Sequence, residues 1–163
     1  MKKSTKNEII ERKETRVLLT EEGLKKLKNE YEDLVTVKRK DVTEKIARAR
    51  DFGDLSENSE YDSAREEQSF IEGRIMELEE ILTHAKLIEK SSESKVNIGS
   101  KVKIQSGSDI DEYTIVSSVE ANPMEGKISI DSPVGKALLG SRVGDEVKIL
   151  TNVQATYKVL EVK

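Results

Sequence analysis

The chain has 163 residues, 35% of them apolar and 37% charged, with a formal net charge of −4. That length bounds it to one or two small domains, and the charge density fits a soluble chain with much exposed surface. No run is apolar enough to span a membrane, and the absence of cysteine excludes a disulfide framework, a thiolate metal site and a cysteine nucleophile.

Residues 1–16 are polar, net basic and without periodicity. Lys2, Lys3 and Lys6 are followed only by the apolar pair Ile9 and Ile10, too short for a signal-peptide core. This segment reads as a mobile basic tail on a protein that is not exported, which fits a reducing cytoplasm. Val17-Leu18-Leu19 then leads into Thr20-Glu21-Glu22-Gly23, where Thr20 is an N-cap and the two acids favour the positive end of a helix.

The first helix carries apolar residues at Leu24, Leu27, Tyr31, Leu34 or Val35, Val42, Ile46 and Ala49, a spacing of three and four that keeps one face apolar. A second helix has a heptad at Tyr61, Ala64, Gln68, Ile71, Ile75, Leu78, Leu82 and Ala85. Folding the chain back pairs Leu24 with Ala85, Leu27 with Leu82, Tyr31 with Leu78, Val35 with Ile75, Val42 with Gln68, Ile46 with Ala64 and Ala49 with Tyr61. The residue numbers in every pair add to the same value to within one, as an antiparallel hairpin requires. Residues 17–90 therefore predict a coiled-coil stalk with its tip at 51–59. About 30 helical residues at 1.5 Å each carry that tip about 45 Å from the base.

Positive charge gathers toward the tip at Lys38, Arg39, Lys40, Lys45, Arg48, Arg50 and, from the facing helix, Arg65. Solvated pairs such as Asp41 with Lys45 and Glu44 with Arg48 account for part of it. The alternative is a basic patch that steadies a phosphate backbone. Residues 21–90 hold 13 Lys and Arg against 19 Asp and Glu, so a larger partner must supply most of any attraction for nucleic acid.

The tip, Asp51-Phe52-Gly53-Asp54-Leu55-Ser56-Glu57-Asn58-Ser59, crowds Asp51, Asp54 and Glu57 into one turn. Asp54 and Glu57 fit a relaxed capping box for the second helix. Two or three carboxylates do not make a Mg²⁺ site by themselves, but they can complete one on another protein. Phe52 is an aromatic exposed for docking, and His84, the only histidine, lies near the base of the stalk as a surface or packing residue.

Residues 91–96 read as a linker. Beyond it, Val102–Ile104, Tyr113–Val116, Ile128–Ile130, Val147–Leu150 and Tyr157–Leu160 are short β-branched runs, and Ser132-Pro133 opens a helix to which Leu138 and Leu139 give an apolar side and which Gly140 ends. Residues 97–163 thus predict a small domain with a mainly antiparallel sheet and one short helix, and the chain as a whole is α+β.

Four segments resemble the Gre transcript cleavage factors of bacteria. They are Thr20-Glu21-Glu22-Gly23-Leu24-Lys25-Lys26-Leu27, the run from Ala47 to Tyr61, Ala64-Arg65-Glu66-Glu67-Gln68, and Glu72-Gly73-Arg74-Ile75. Ser132-Pro133 with Leu138-Leu139-Gly140 is similar to the C-terminal domain of that family. The resemblance runs from about Val17 to the end. It implies an antiparallel coiled coil on an FKBP-like domain, with the domain docked at the secondary channel of RNA polymerase and the coiled coil inside it. It also implies that Asp54 and Glu57 help hold a Mg²⁺ of the polymerase active centre, while the polymerase cleaves the 3′ end of nascent RNA in backtracked complexes. Arg48, Arg50 and Arg65 are implied as contacts to that RNA, and the protein as a cytoplasmic monomer that is not itself an enzyme. A Gre-like inhibitor carries a more heavily acidic tip, a prolyl isomerase needs an aromatic-lined pocket that Tyr113 and Tyr157 alone do not supply, and a structural adaptor needs no acidic tip.

Overall fold

The computed structural model describes residues 16–51, 59–88, 95–150 and 154–163. The basic tail at 1–15, the tip segment 52–58 and most of the linker therefore lie outside the described residues, and with them Phe52, Asp54 and Glu57.

Thr20 opens the stalk as expected. Its backbone is extended, and its hydroxyl accepts from the Gly23 N–H at 2.9 Å, satisfying one of the donors a helix start leaves open. The outgoing arm is α1 (Glu21–Asp33), a π-helical turn (Leu34–Lys38) and α2 (Arg39–Asp51), and the returning arm is α3 (Ser59–His84). The arms are antiparallel: Tyr31 donates to Glu79, Arg39 to Glu72 and Lys45 to Glu67, so partners descend on α3 as they ascend on the first arm. Leu27, Leu78 and Ile81 form a buried cluster at the base with Leu19, and Val42, Ile71 and Ile75 form a second one higher up. At about 25 cal/mol per Å² of apolar area removed from water, these seams hold the hairpin together.

The π turn corrects the expected register. In it the Arg39 N–H reaches back five residues to the Leu34 carbonyl, which absorbs one extra residue into the helix. Leu34 and Val35 are both half-buried, so the two candidates for one seam position both occupy it. Below the turn Leu24, Leu27, Tyr31, Leu78 and Leu82 share the base cluster, where Ile81, outside the expected heptad, is buried as well. Above it, Val42 forms a buried cluster with Ile71 and Ile75, and Gln68, its expected partner, is half-buried with its amide oxygen accepting from Arg65. Lys45 likewise crosses to Glu67 at 2.8 Å rather than pairing with Asp41, whereas Glu44 and Arg48 do pair along the helix, at 3.4 Å.

A second correction falls at the base, where α3 ends at His84 and Ala85 belongs to a strand. β1 (Val17–Leu19) and β2 (Ala85–Leu87) form a two-stranded parallel sheet in register Val17 to Ala85, with Leu19 fully buried beneath it.

The C-terminal domain is a five-stranded sheet of β3 (Lys101–Ser106), β4 (Asp109–Val116), β5 (Lys127–Ser129), β6 (Glu146–Leu150) and β7 (Gln154–Val162). The strand order is β5-β4-β3-β7-β6. The pairings β3–β4, β3–β7 and β6–β7 are antiparallel as expected, while β4–β5 is parallel. The parallel pair arises because residues 117–126 form a crossover through two 3₁₀ turns, Ser118–Glu120 and Pro123–Glu125, instead of a tight hairpin. The short helix α4 (Pro133–Leu138) has Ser132 as its N-cap, accepting from Gly135 at 3.0 Å. Gly135 lets it lie against β5, where an added Cβ would stand 2.0 Å from the Ser129 carbonyl oxygen. The core comprises Val102, Ile104, Ile115, Leu138, Val159 and Val96. Val96, expected in the linker, is thus fully buried in the domain, and Lys95 already bridges to Arg142. Tyr113 and Tyr157 pack against this core. Burial pushes the Tyr113 phenol up from its ordinary range.

Candidate functional site at the stalk tip

Asp51 ends the outgoing arm and Ser59 begins the returning one, and both are exposed. Just below them Ala49 and Ala64 are buried, at 4% and 5% exposure. Beside them lies a surface depression of about 440 Å³ walled by Lys45, Arg48, Glu60, Ser63 and Glu67.

Of the basic residues singled out, Arg48 and Arg50 stand in the last turn of α2, and Arg65 lies on α3. Arg48 meets Glu44 only at 3.4 Å with both side chains largely exposed, a pair of little energetic weight. Arg65 donates to Gln68 at 2.7 Å, and Arg50 is exposed. Among the described residues no group of three or more His, Cys, Asp or Glu is arranged to hold a metal ion. His84 is exposed in the last turn of α3, with Nδ1 2.9 Å from the Glu80 carbonyl.

Lower down, farther from the basic residues, Arg74 forks onto Glu30 at 2.7 and 3.0 Å and also donates to Glu77 at 2.8 Å, which pushes its guanidinium pKa up. The stalk foot then meets the C-terminal domain. The Thr20 N–H donates to Glu120 Oε2 at 3.0 Å, and the Thr20 hydroxyl donates to Glu120 Oε1. Glu22 pairs with Lys127 at 2.8 Å and Lys26 with Glu125 at 3.1 Å. A cleft of about 210 Å³ lies along this junction, between Lys26, Glu30 and Arg74 on one side and Glu120, Asn122 and Lys127 on the other. Sequence reasoning missed this junction. Its one legible sign was Gly23, a poor helix former placed inside a first turn.

Fold and site together define a class: a helical stalk that presents a charged end away from a small sheet domain, with the two tied at the foot. Residues 17–87 match the family model for the N-terminal domain of transcription elongation factors, and residues 91–163 match the model for the C-terminal domain of GreA/GreB. Transcription elongation factor GreA of Thermoanaerobacter pseudethanolicus is 58% identical over 137 residues, 82% of this chain and 87% of that protein. GreA of Caldanaerobacter subterraneus subsp. tengcongensis is 52% identical over 152 residues, 90% of this chain and 97% of its own. Among solved structures, GreA factor homolog 1 of Thermus thermophilus aligns over 91% of this chain and 99% of its own, at 30% identity and a TM-score of 0.43. The chain belongs to the GreA/GreB family of transcription elongation factors.

Proposed function

We propose that the chain binds bacterial RNA polymerase in the elongation complex, passes its tip through the secondary channel and stimulates cleavage of the RNA 3′ end in backtracked, arrested complexes. The observation that carries this reading is the stalk. Among the described residues one arm runs out to Asp51 and the other returns from Ser59, and the two are tied along their length by Tyr31 to Glu79, Arg39 to Glu72 and Lys45 to Glu67, which suits a long support for a tip.

In this reading Asp54 and Glu57 donate carboxylate oxygens to a Mg²⁺ ion held by the polymerase. Two carboxylates on one short segment are too few for a Mg²⁺ site of their own and suit a shared one. When bound, the ion supplies electrophilic activation of water and stabilises the leaving oxygen. The polymerase carries out the reaction, and the factor is not itself an enzyme. Arg48, Arg50 and Arg65 steady the RNA backbone. Their exposure supports this, since the weak Arg48 to Glu44 pair is readily exchanged for a phosphate. The protein acts as a monomer in the cytoplasm, and among the described residues no helix is long and apolar enough to cross a membrane.

The test is transcript cleavage on halted, backtracked polymerase with and without the protein. Shortening of the RNA from its 3′ end only when the protein is added is the expected result. Equal cleavage in both samples would reject the proposal.

A further inference from the structure

The α1 cap at the foot of the stalk bonds to one side chain of the C-terminal domain. Glu120 ends the 3₁₀ turn that follows β4, and its carboxylate lies against the start of α1. Oε2 accepts from the Thr20 N–H at 3.0 Å and from Ser117 Oγ at 3.3 Å, while Oε1 accepts from the Thr20 hydroxyl. That hydroxyl in turn accepts from the Gly23 N–H at 2.9 Å. A relay of donors therefore runs from the first turn of α1 through the helix cap into one carboxylate of the other domain. Charge-assisted bonds of this kind are directional as well as strong.

Gly23 provides the space. It is buried, and a Cβ placed on it would stand 1.6 Å from Glu120 Oε1 and 2.2 Å from its Cδ. No other residue type leaves the carboxylate where it is. The surrounding ion pairs, Glu22 with Lys127 and Lys26 with Glu125, each have at least one partner that is about half exposed or more, and orient the same two surfaces more loosely.

We infer that Glu120 is a positioning residue: seated in the space left by Gly23 and bonded to the α1 cap at Thr20, it sets the direction of the stalk relative to the C-terminal domain and so delivers the tip. The part concerning cleavage rests on the function proposed above; the part concerning orientation does not.

Because the chain has no native cysteine, Ala47→Cys on the exposed side of α2 and Lys148→Cys on β6 give a unique pair of spin labels in the full-length protein. Electron-electron distance measurement should give one narrow distribution for the parent. Glu120→Ala should broaden it markedly, with the melting of each domain unchanged. Gly23→Ala should broaden it to the same degree, although that change by itself favours the helix. Glu120→Gln, which keeps an acceptor for Thr20, should restore most of the narrow distribution. On halted polymerase the two loosened variants should saturate at a lower maximal cleavage rate, by up to about 100-fold, since small misplacements of reacting groups are costly. Their half-saturating concentration should move much less. A parental distribution in either Glu120→Ala or Gly23→Ala overturns the inference, as does a broadened distribution with parental maximal cleavage. Should the parent stimulate no cleavage at all, the proposed function fails, and the distance measurements alone decide the role of Glu120.

Discussion

Arg39 reaches across the stalk to Glu72 through two parallel hydrogen bonds, Nε to Oε1 at 2.7 Å and Nη2 to Oε2 at 2.5 Å. The pair exists because of the π turn just before it. Without the extra residue between Leu34 and Lys38, the seam position after Leu34 would fall on Lys38; with it, Arg39 takes that place and Val42, Ile46 and Ala49 follow in phase. Each partner perturbs the other, the carboxylate of Glu72 being held below its ordinary range by the guanidinium and Arg39 raised by the carboxylate.

The turn therefore makes one residue dispensable. Val37 is 44% exposed and outside the buried clusters, so deleting it should convert the turn to α-helix and leave the seam on either side in the same phase. The variant should keep its helical circular dichroism and melt within a few degrees of the parent. Deleting Ala47, in regular α2, should instead throw Ala49 off the seam and lower the melting temperature sharply. Equal damage from both deletions would show that the turn does not absorb an inserted residue.

Ile75 is 2% exposed and packs with Val42 and Ile71. Ile75→Lys should lower the stability of the hairpin by several kcal/mol, because an unpaired ammonium has no partner in that seam. The C-terminal domain should keep its own transition, its core being formed by other residues. Thermal unfolding followed separately in the two domains checks this, and an unchanged hairpin would contradict the seam.

At the tip, capping and metal ligation give opposite outcomes. Asp54→Asn with Glu57→Gln keeps the side-chain shapes, and Asn remains a good N-cap, so fold and polymerase binding should be preserved. Cleavage should nevertheless collapse, because a neutral amide oxygen is a far poorer Mg²⁺ ligand than a carboxylate, and raised Mg²⁺ should restore it only in part. Near-normal cleavage by the double variant would remove the shared-ligand mechanism.

The ion pairs at the foot predict a pH window. The bond from Lys127 holds Glu22 below the usual carboxylate range, and the bond from Lys26 does the same for Glu125. A depressed carboxylate contributes fully above its unfolded pKa, near 4.3, and the contribution is lost as pH falls through the lower folded value. Lys127 is raised, chiefly by its bond to Glu22, so its contribution is lost only as pH rises above about 10. Inter-domain distances measured at low salt should therefore be constant from about pH 5 to about pH 10 and spread in more acid solution. A transition near neutrality would contradict the assignment.

The stalk was legible in the amino-acid sequence because a helical seam is a local property, written in apolar residues at spacings of three and four. The same holds for the Thr20 and Ser132 caps, whose partners Gly23 and Gly135 lie within the next turn. The alternative of Leu34 or Val35 was itself the mark of the π turn, although periodicity alone does not say how a helix absorbs an extra residue. Three features depended on groups distant in the chain. Val17 and Ala85 pair as strands because the hairpin brings its own ends together, and three-residue strands carry no periodic signal. The parallel partnership of β4 with β5 depends on the path of the crossover at 117–126, which no residue pattern specifies. Glu120 reads as one more surface acid until the fold sets it against the amide and hydroxyl of Thr20, 100 residues away in the chain. Only the packing of the two domains gives that carboxylate the Thr20 donors to accept from and, at Gly23, a place to sit.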